Sequence, residues 1–162
     1  MDTLEELKSL SLSLDIDGTW EERYNLIMSM DITSDIEELR LLLHNLSTTP
    51  ANIANTCDDI ILTTIEEGDF KNWIIPIWHE FSYLAQSRIS RGHLFFLLNR
   101  AADFDIDYCY ISFLKQDSIL KKEIINSTTD DFYKFFDSHP VMRTRFKPCL
   151  DLLRKITTQA DR

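Results

Sequence analysis

The sequence predicts an all-α protein, and three observations carry that reading. Glycine and proline are scarce, three and four in 162 residues, whereas sheet-rich folds need many more turn residues. Apolar residues recur three and four positions apart along most of the chain, the spacing that fills one helix face. Helix-start signals recur at Ser34, Asp69 and Asp105, at intervals of 35 and 36 residues, and again near Thr129. A period of that size suits stacked two-helix repeats, in which each pair buries a face only against its neighbour. The expectation is a single all-helical domain over residues 1–162, built as stacked antiparallel helical hairpins in the manner of a HEAT-like α-solenoid. A closed helix bundle gives the same local signals and stands as the alternative.

The elements follow in order. Leucines at 4, 7, 10 and 14 place a first amphipathic helix before the break at Asp15-Ile16-Asp17-Gly18. Thr19 with Glu22 forms a capping box for a second, whose stripe is Trp20, Tyr24, Ile27 and Met28. Ser34 with Glu37 repeats that signal ahead of Ile36, Leu39, Leu42, Leu43 and Leu46. Thr49 caps a fourth helix and Pro50 takes its first turn, where a missing N–H costs nothing. Ile53, Ala54, Cys57, Ile60, Ile61, Thr64 and Ile65 form its buried face, and Gly68 ends it.

The stretch from Trp73 to Arg100 reads as the central hairpin. Asp69 caps the first of its helices, with Phe70, Trp73, Ile74, Ile77, Phe81 and Leu84 at helical spacing. Pro76 lies inside that pattern, so either a kink sits there or the helix starts at Ile75. Ser90 caps the partner helix, which runs through Leu94, Leu97, Leu98 and Ala101 to a turn at Asp103-Phe104-Asp105. Then come a segment with Tyr108, Ile111, Phe113 and Leu114, a shorter helix from Ser118 to Asn126, and another opening at Thr129 or Asp130. That one stops at His139-Pro140. A last segment from about Val141 to Gln159 is open to division at Pro148.

Charge is unevenly divided. Through Asp69 the chain carries 16 acidic against 3 basic residues, and from Phe70 onward 11 against 14, for a net charge of −10. Phosphates are repelled by such an N-terminal part, so nucleic acid is not its expected partner, whereas a basic protein surface is attracted. The start Met1-Asp2-Thr3-Leu4-Glu5-Glu6 is acidic where a signal peptide is basic, and no apolar run reaches the roughly 20 residues of a spanning helix. The three cysteines, Cys57, Cys109 and Cys149, match no zinc or redox spacing and read as reduced thiols. The expected location is the cytoplasm.

Candidate chemistry concentrates around His79, Glu80, Arg88, Arg91 and His93. His79-Glu80 resembles the start of a helical zinc-protease motif, but that motif needs a second histidine at i+4, and position 83 is Tyr83. A histidine hydrogen-bonded at a helix contact, with Glu80 partnering it or Arg88, is the simpler expectation. Glycine-rich phosphate loops are absent, and nothing local activates a cysteine. Arg143, Arg145 and Lys147, with Phe146 among them, are too few to make a nucleic-acid site in an acidic chain. No enzyme activity, metal or cofactor is expected. A metal-dependent enzyme built on His79, Glu80 and His93 is the least favoured reading.

Interaction is what remains. Glu37, Glu38, Asp58, Asp59, Glu66, Glu67 and Asp69 come from one expected hairpin and its end, and part of this set could share a surface. Trp20, Tyr24 or Trp73, if exposed, would add the desolvated anchor that charge does not supply. The motifs Asp35-Ile36-Glu37-Glu38-Leu39, Glu67-Gly68-Asp69, His79-Glu80-Phe81 and Arg91-Gly92-His93-Leu94 extend over a run from Asp35 to about Ile125. That run resembles the small all-helical immunity proteins of bacterial polymorphic toxin systems, and within them the immunity protein 30 family. The resemblance implies a cytoplasmic, non-catalytic protein that binds a cognate toxin domain and blocks it. A general helical-repeat scaffold or adaptor is the alternative.

Overall fold

The computed structural model describes residues 36–44, 62, 65 and 70–160. Every described element is helical, as the glycine and proline count requires: α1 (Ile36–His44), α2 (Phe70–Leu84), α3 (Arg88–Leu114), α4 (Ser118–Ser127), α5 (Tyr133–Ser138), α6 (Pro140–Arg145) and α7 (Lys147–Ala160). A π-helical turn, Thr128–Phe132, joins α4 to α5. No described helix is long and apolar enough to cross a membrane. The chain divides into two compact units, Met1–Glu80 and Phe81–Arg162. The first two predicted helices, and all but Leu62 and Ile65 of the fourth, lie outside the described residues.

In the first unit, α1 buries Leu39, Leu42 and Leu43, the predicted stripe, while Ile36 is 42 % exposed at its start. Ile65 is fully buried. The helix α2 begins at Phe70 and continues through Pro76, so a start at Ile75 is incorrect. Trp73, Ile74 and Ile77 are buried along it, and that burial holds a helix whose proline withholds one backbone donor.

The second unit begins at Phe81 in the last turn of α2, and at the turn that follows the N-cap of α3 is Ser87 and not Ser90. The Ser90 amide donates to Ser87 Oγ at 3.2 Å, and the buried Ser90 hydroxyl donates to the Leu84 carbonyl at 2.7 Å. One serine thus closes the last turn of α2 while another caps α3. The expected turn at residues 103–105 is a sharp break and not a loop. Asp105 alone leaves helical geometry (φ −160°, ψ 88°), and its carboxylate accepts from the Tyr108 amide at 3.0 Å, capping the continuation of α3.

Asp117 caps α4 through the Leu120 amide at 2.9 Å. No new helix opens at Thr129 or Asp130: the Thr128 and Thr129 hydroxyls bond back to the Ile124 and Ile125 carbonyls, and the chain stays helical through a widened turn. The predicted stop at His139-Pro140 is correct, with Pro140 opening α6. The last segment is divided, at Phe146, two residues ahead of Pro148. The first turn of α7 is satisfied from α3, where Asn99 Oδ1 accepts from the Cys149 amide at 3.1 Å. Helices α3 and α7 form the most extensive pairing of this unit, burying Cys109, Cys149, Leu152, Leu153 and Ile156. Beside them, Phe95 is the hub of an aromatic cluster, with Phe132, Phe135, Phe136 and Phe146 at centroid distances of 4.8, 5.5, 5.1 and 6.3 Å.

Candidate functional site

The acidic set divides unevenly over what the structure describes. Glu37 projects from α1 with 73 % of its side chain exposed, 3.4 Å from Arg40 three residues on. An exposed pair of this kind contributes about 0–1 kcal/mol, so Glu37 is available to a partner at little loss. Glu38 lies on the same helix, although its side chain is not described, and Asp58, Asp59, Glu66, Glu67 and Asp69 lie outside the described residues. Of the seven side chains, that of Glu37 is the one described. Of the three aromatic anchors considered, Trp20 and Tyr24 lie outside the described residues. Trp73 is 4 % exposed and belongs to the core, so it is not an exposed anchor.

His79 and Glu80 part company. The imidazole of His79 is exposed, and Glu80 points inward with 10 % of its side chain accessible. Its partners are neither His79 nor Arg88 but two residues of α1: Arg40 Nε donates to Oε1 at 3.1 Å, and His44 Nδ1 lies 3.4 Å from Oε2. Arg40 and His44 are i and i+4, stacked on one face of α1, and reach the carboxylate as a pair. Burial pushes the Glu80 carboxyl up, but the hydrogen bonds from His44 and Arg40 and the Arg40 charge outweigh it, leaving the group below its ordinary value. A carboxylate held ionised in this way is poorly matched to proton transfer near neutrality. It clamps α2 to α1. A carboxylate on an otherwise apolar stripe is itself the sequence signal that a cation must come to meet it.

The described thiols are equally far from reactive. Burial raises Cys109 to about 12, with the Asp105 charge adding to it, and full burial pushes Cys149 up as well. Among the described residues no group of three or more His, Cys, Asp or Glu side chains is gathered as a metal site requires. In the basic segment, Lys147 pairs with Asp151 of its own helix at 2.6 Å and Arg145 lies over the Phe146 ring at 5.8 Å.

The second unit also holds a cleft that the sequence did not mark as such. It has a volume of about 370 Å³ and is lined on α3 by Arg88, Arg91, Gly92 and Phe95. Those positions, spaced 0, 3, 4 and 7, form a single helix face. Phe135, His139 and Met142 complete the lining. His139 stacks on Phe135 with centroids 4.6 Å apart and an interplanar angle of 26°. Its Nδ1 lies 2.9 Å from the Phe135 carbonyl, which only accepts, so Nδ1 carries the proton and Nε2 is left for another partner. Among the described residues no carboxylate forms a salt bridge with Arg88 or Arg91. Gly92 sits inside α3, where glycine costs roughly 0.5–1 kcal/mol relative to alanine. A Cβ placed there would meet nothing within 4 Å, so no close approach in the fold requires the glycine.

Compared with known proteins, the chain matches no family model, no curated protein and no solved structure.

Proposed function

We propose that this protein is a stoichiometric inhibitor, an immunity protein that binds a basic toxin domain through its acidic N-terminal unit and neutralises it without catalysis. The observation carrying this reading is that charge is divided between the two structural units. The unit that ends at Glu80 holds 17 of the 27 acidic residues against 4 of the 17 basic ones, and the unit beyond it is slightly basic. Charge segregated by structural unit favours oriented capture of an oppositely charged partner. The exposure of Glu37 on α1 agrees with this, as does the resemblance of the run from Asp35 to about Ile125 to the immunity protein 30 family. The architecture that goes with the reading is stacked antiparallel hairpins, supported by the 35- and 36-residue spacing of helix starts, and the location is the cytoplasm.

The test is charge reversal at Glu37, Glu38, Asp58 and Asp59, with toxin association followed at low and high salt. Association of the native protein is expected to slow as salt is added, and the four-site variant to associate about tenfold or more slowly at low salt. Equal affinity of both proteins at both salt concentrations would remove the acidic surface from the account and favour a scaffold without a toxin partner.

A further inference from the structure

We infer that the cleft between Arg91 and His139 is a binding site for a small aromatic anion: a planar ring carrying a phosphate or carboxylate group. Three observations on separate residues converge on that chemistry. Arg88 and Arg91, one turn apart on α3, present two permanent charges with no described carboxylate to neutralise them. A guanidinium fork matches the oxygens of phosphate or carboxylate in a bidentate manner. The opening turn of α3 adds the positive end of a helix that runs to the break at Asp105. The remaining lining is flat and apolar: the stacked Phe135–His139 pair, Phe95 and Met142, with the free Nε2 of His139 as a polar contact.

Gly92 is the independent observation. No packing in the fold demands a glycine inside α3: Gly92 lines the cleft, and a Cβ added there would stand in open space. A residue that weakens its helix and keeps a cavity clear is explained by what enters the cavity. At about 370 Å³ the space lies at the small end of ligand sites and suits one ring system with its acid group. The site belongs wholly to the second unit and does not depend on the inhibitor reading, so each can fail alone.

The chain has only three glycines, so the Gly92 amide is readily assigned in a two-dimensional NMR spectrum, with Gly18 and Gly68 as references. Naphthyl phosphate is titrated into the isotope-labelled full chain, with naphthol and inorganic phosphate titrated separately. The expected result is a saturable shift of the Gly92 amide with naphthyl phosphate at sub-millimolar concentration, binding by the two fragments being at least about tenfold weaker. Gly92→Leu, followed through the Phe135 and His139 amides because its glycine signal is lost, should abolish binding while melting at or above the native temperature, and the double variant Arg88→Gln/Arg91→Gln should bring naphthyl phosphate down to the affinity of naphthol. The inference is overturned by the absence of a saturable Gly92 shift at millimolar ligand, or by equal affinity for naphthol. Undiminished binding by a folded Gly92→Leu protein overturns it too. If Gly92→Leu does not fold, the arginine variant decides alone, and native affinity there contradicts the site.

Discussion

At the scale of single residues, Glu80 shows how burial and pairing decide a carboxylate's role. Arg40→Ala would leave the buried carboxylate with His44 as its one described partner, whereas Glu80→Gln leaves a half-exposed arginine that water can still reach. The arginine deletion is therefore expected to cost about 2–3 kcal/mol and the glutamine exchange about 1 kcal/mol, read from urea denaturation. The pH dependence follows from the same geometry. The folded Glu80 carboxyl lies below its ordinary value of 4.5, so its contribution is present above that pH and is lost as pH falls through the folded value. In Arg40→Ala the arginine's hydrogen bond and charge are lost while burial and His44 remain, so the folded value rises and the loss of stability on acidification becomes smaller than in the native protein. The buried thiols give a second residue-scale expectation. In native protein Cys109 and Cys149 should resist alkylation at neutral pH and react on unfolding, as peptide mass spectrometry would show. Rapid native labelling of either would contradict their placement. The acid on α2 was legible in the sequence. Its partners were not, because Arg40 lies 40 residues away and reads locally as the helix partner of Glu37.

At the scale of elements, a side chain bonding forward to an amide marks a true start, and the misread starts are residues bonding backward to a carbonyl; Ser87, which bonds forward to the Ser90 amide, was passed over for Ser90. Asp105 and Asp117 bond forward and mark true starts. Ser90, Thr128 and Thr129 have the same residue types in the same kind of sequence, yet their hydroxyls go back to Leu84, Ile124 and Ile125. Nothing in a local pattern separates the two directions, since the choice depends on which carbonyl is left unpaired after packing. Asp105→Ala should destabilise the second unit by about 1 kcal/mol, and Asp105→Asn by only a few tenths, when both are compared by thermal melting. Equal, near-zero effects would show that the break in α3 is set by packing and not by the cap. Pro76 makes a related point: intrinsic propensity argued for a boundary there, and the burial of Trp73, Ile74 and Ile77 overrode it.

At the scale of the whole molecule, the all-helical class was written in the composition, because three glycines and four prolines leave few ways to turn a sheet. The charge division was legible too, and the structure adds that it falls close to the boundary between two compact units. The cleft of the second unit was not. Its arginines and Gly92 lie in the stretch whose histidines suggest catalysis, while Phe135, His139 and Met142 come from α5, the residue that follows it and α6, more than 40 residues further along. The proposed role of the acidic unit is to neutralise a toxin. Co-expression with the product of the adjacent gene tests that claim most directly, scored by growth and by co-purification of the two proteins. An immunity protein makes the neighbour, lethal alone, harmless beside it, and is recovered with it as a stoichiometric complex. Persistent lethality with no complex formed would contradict it.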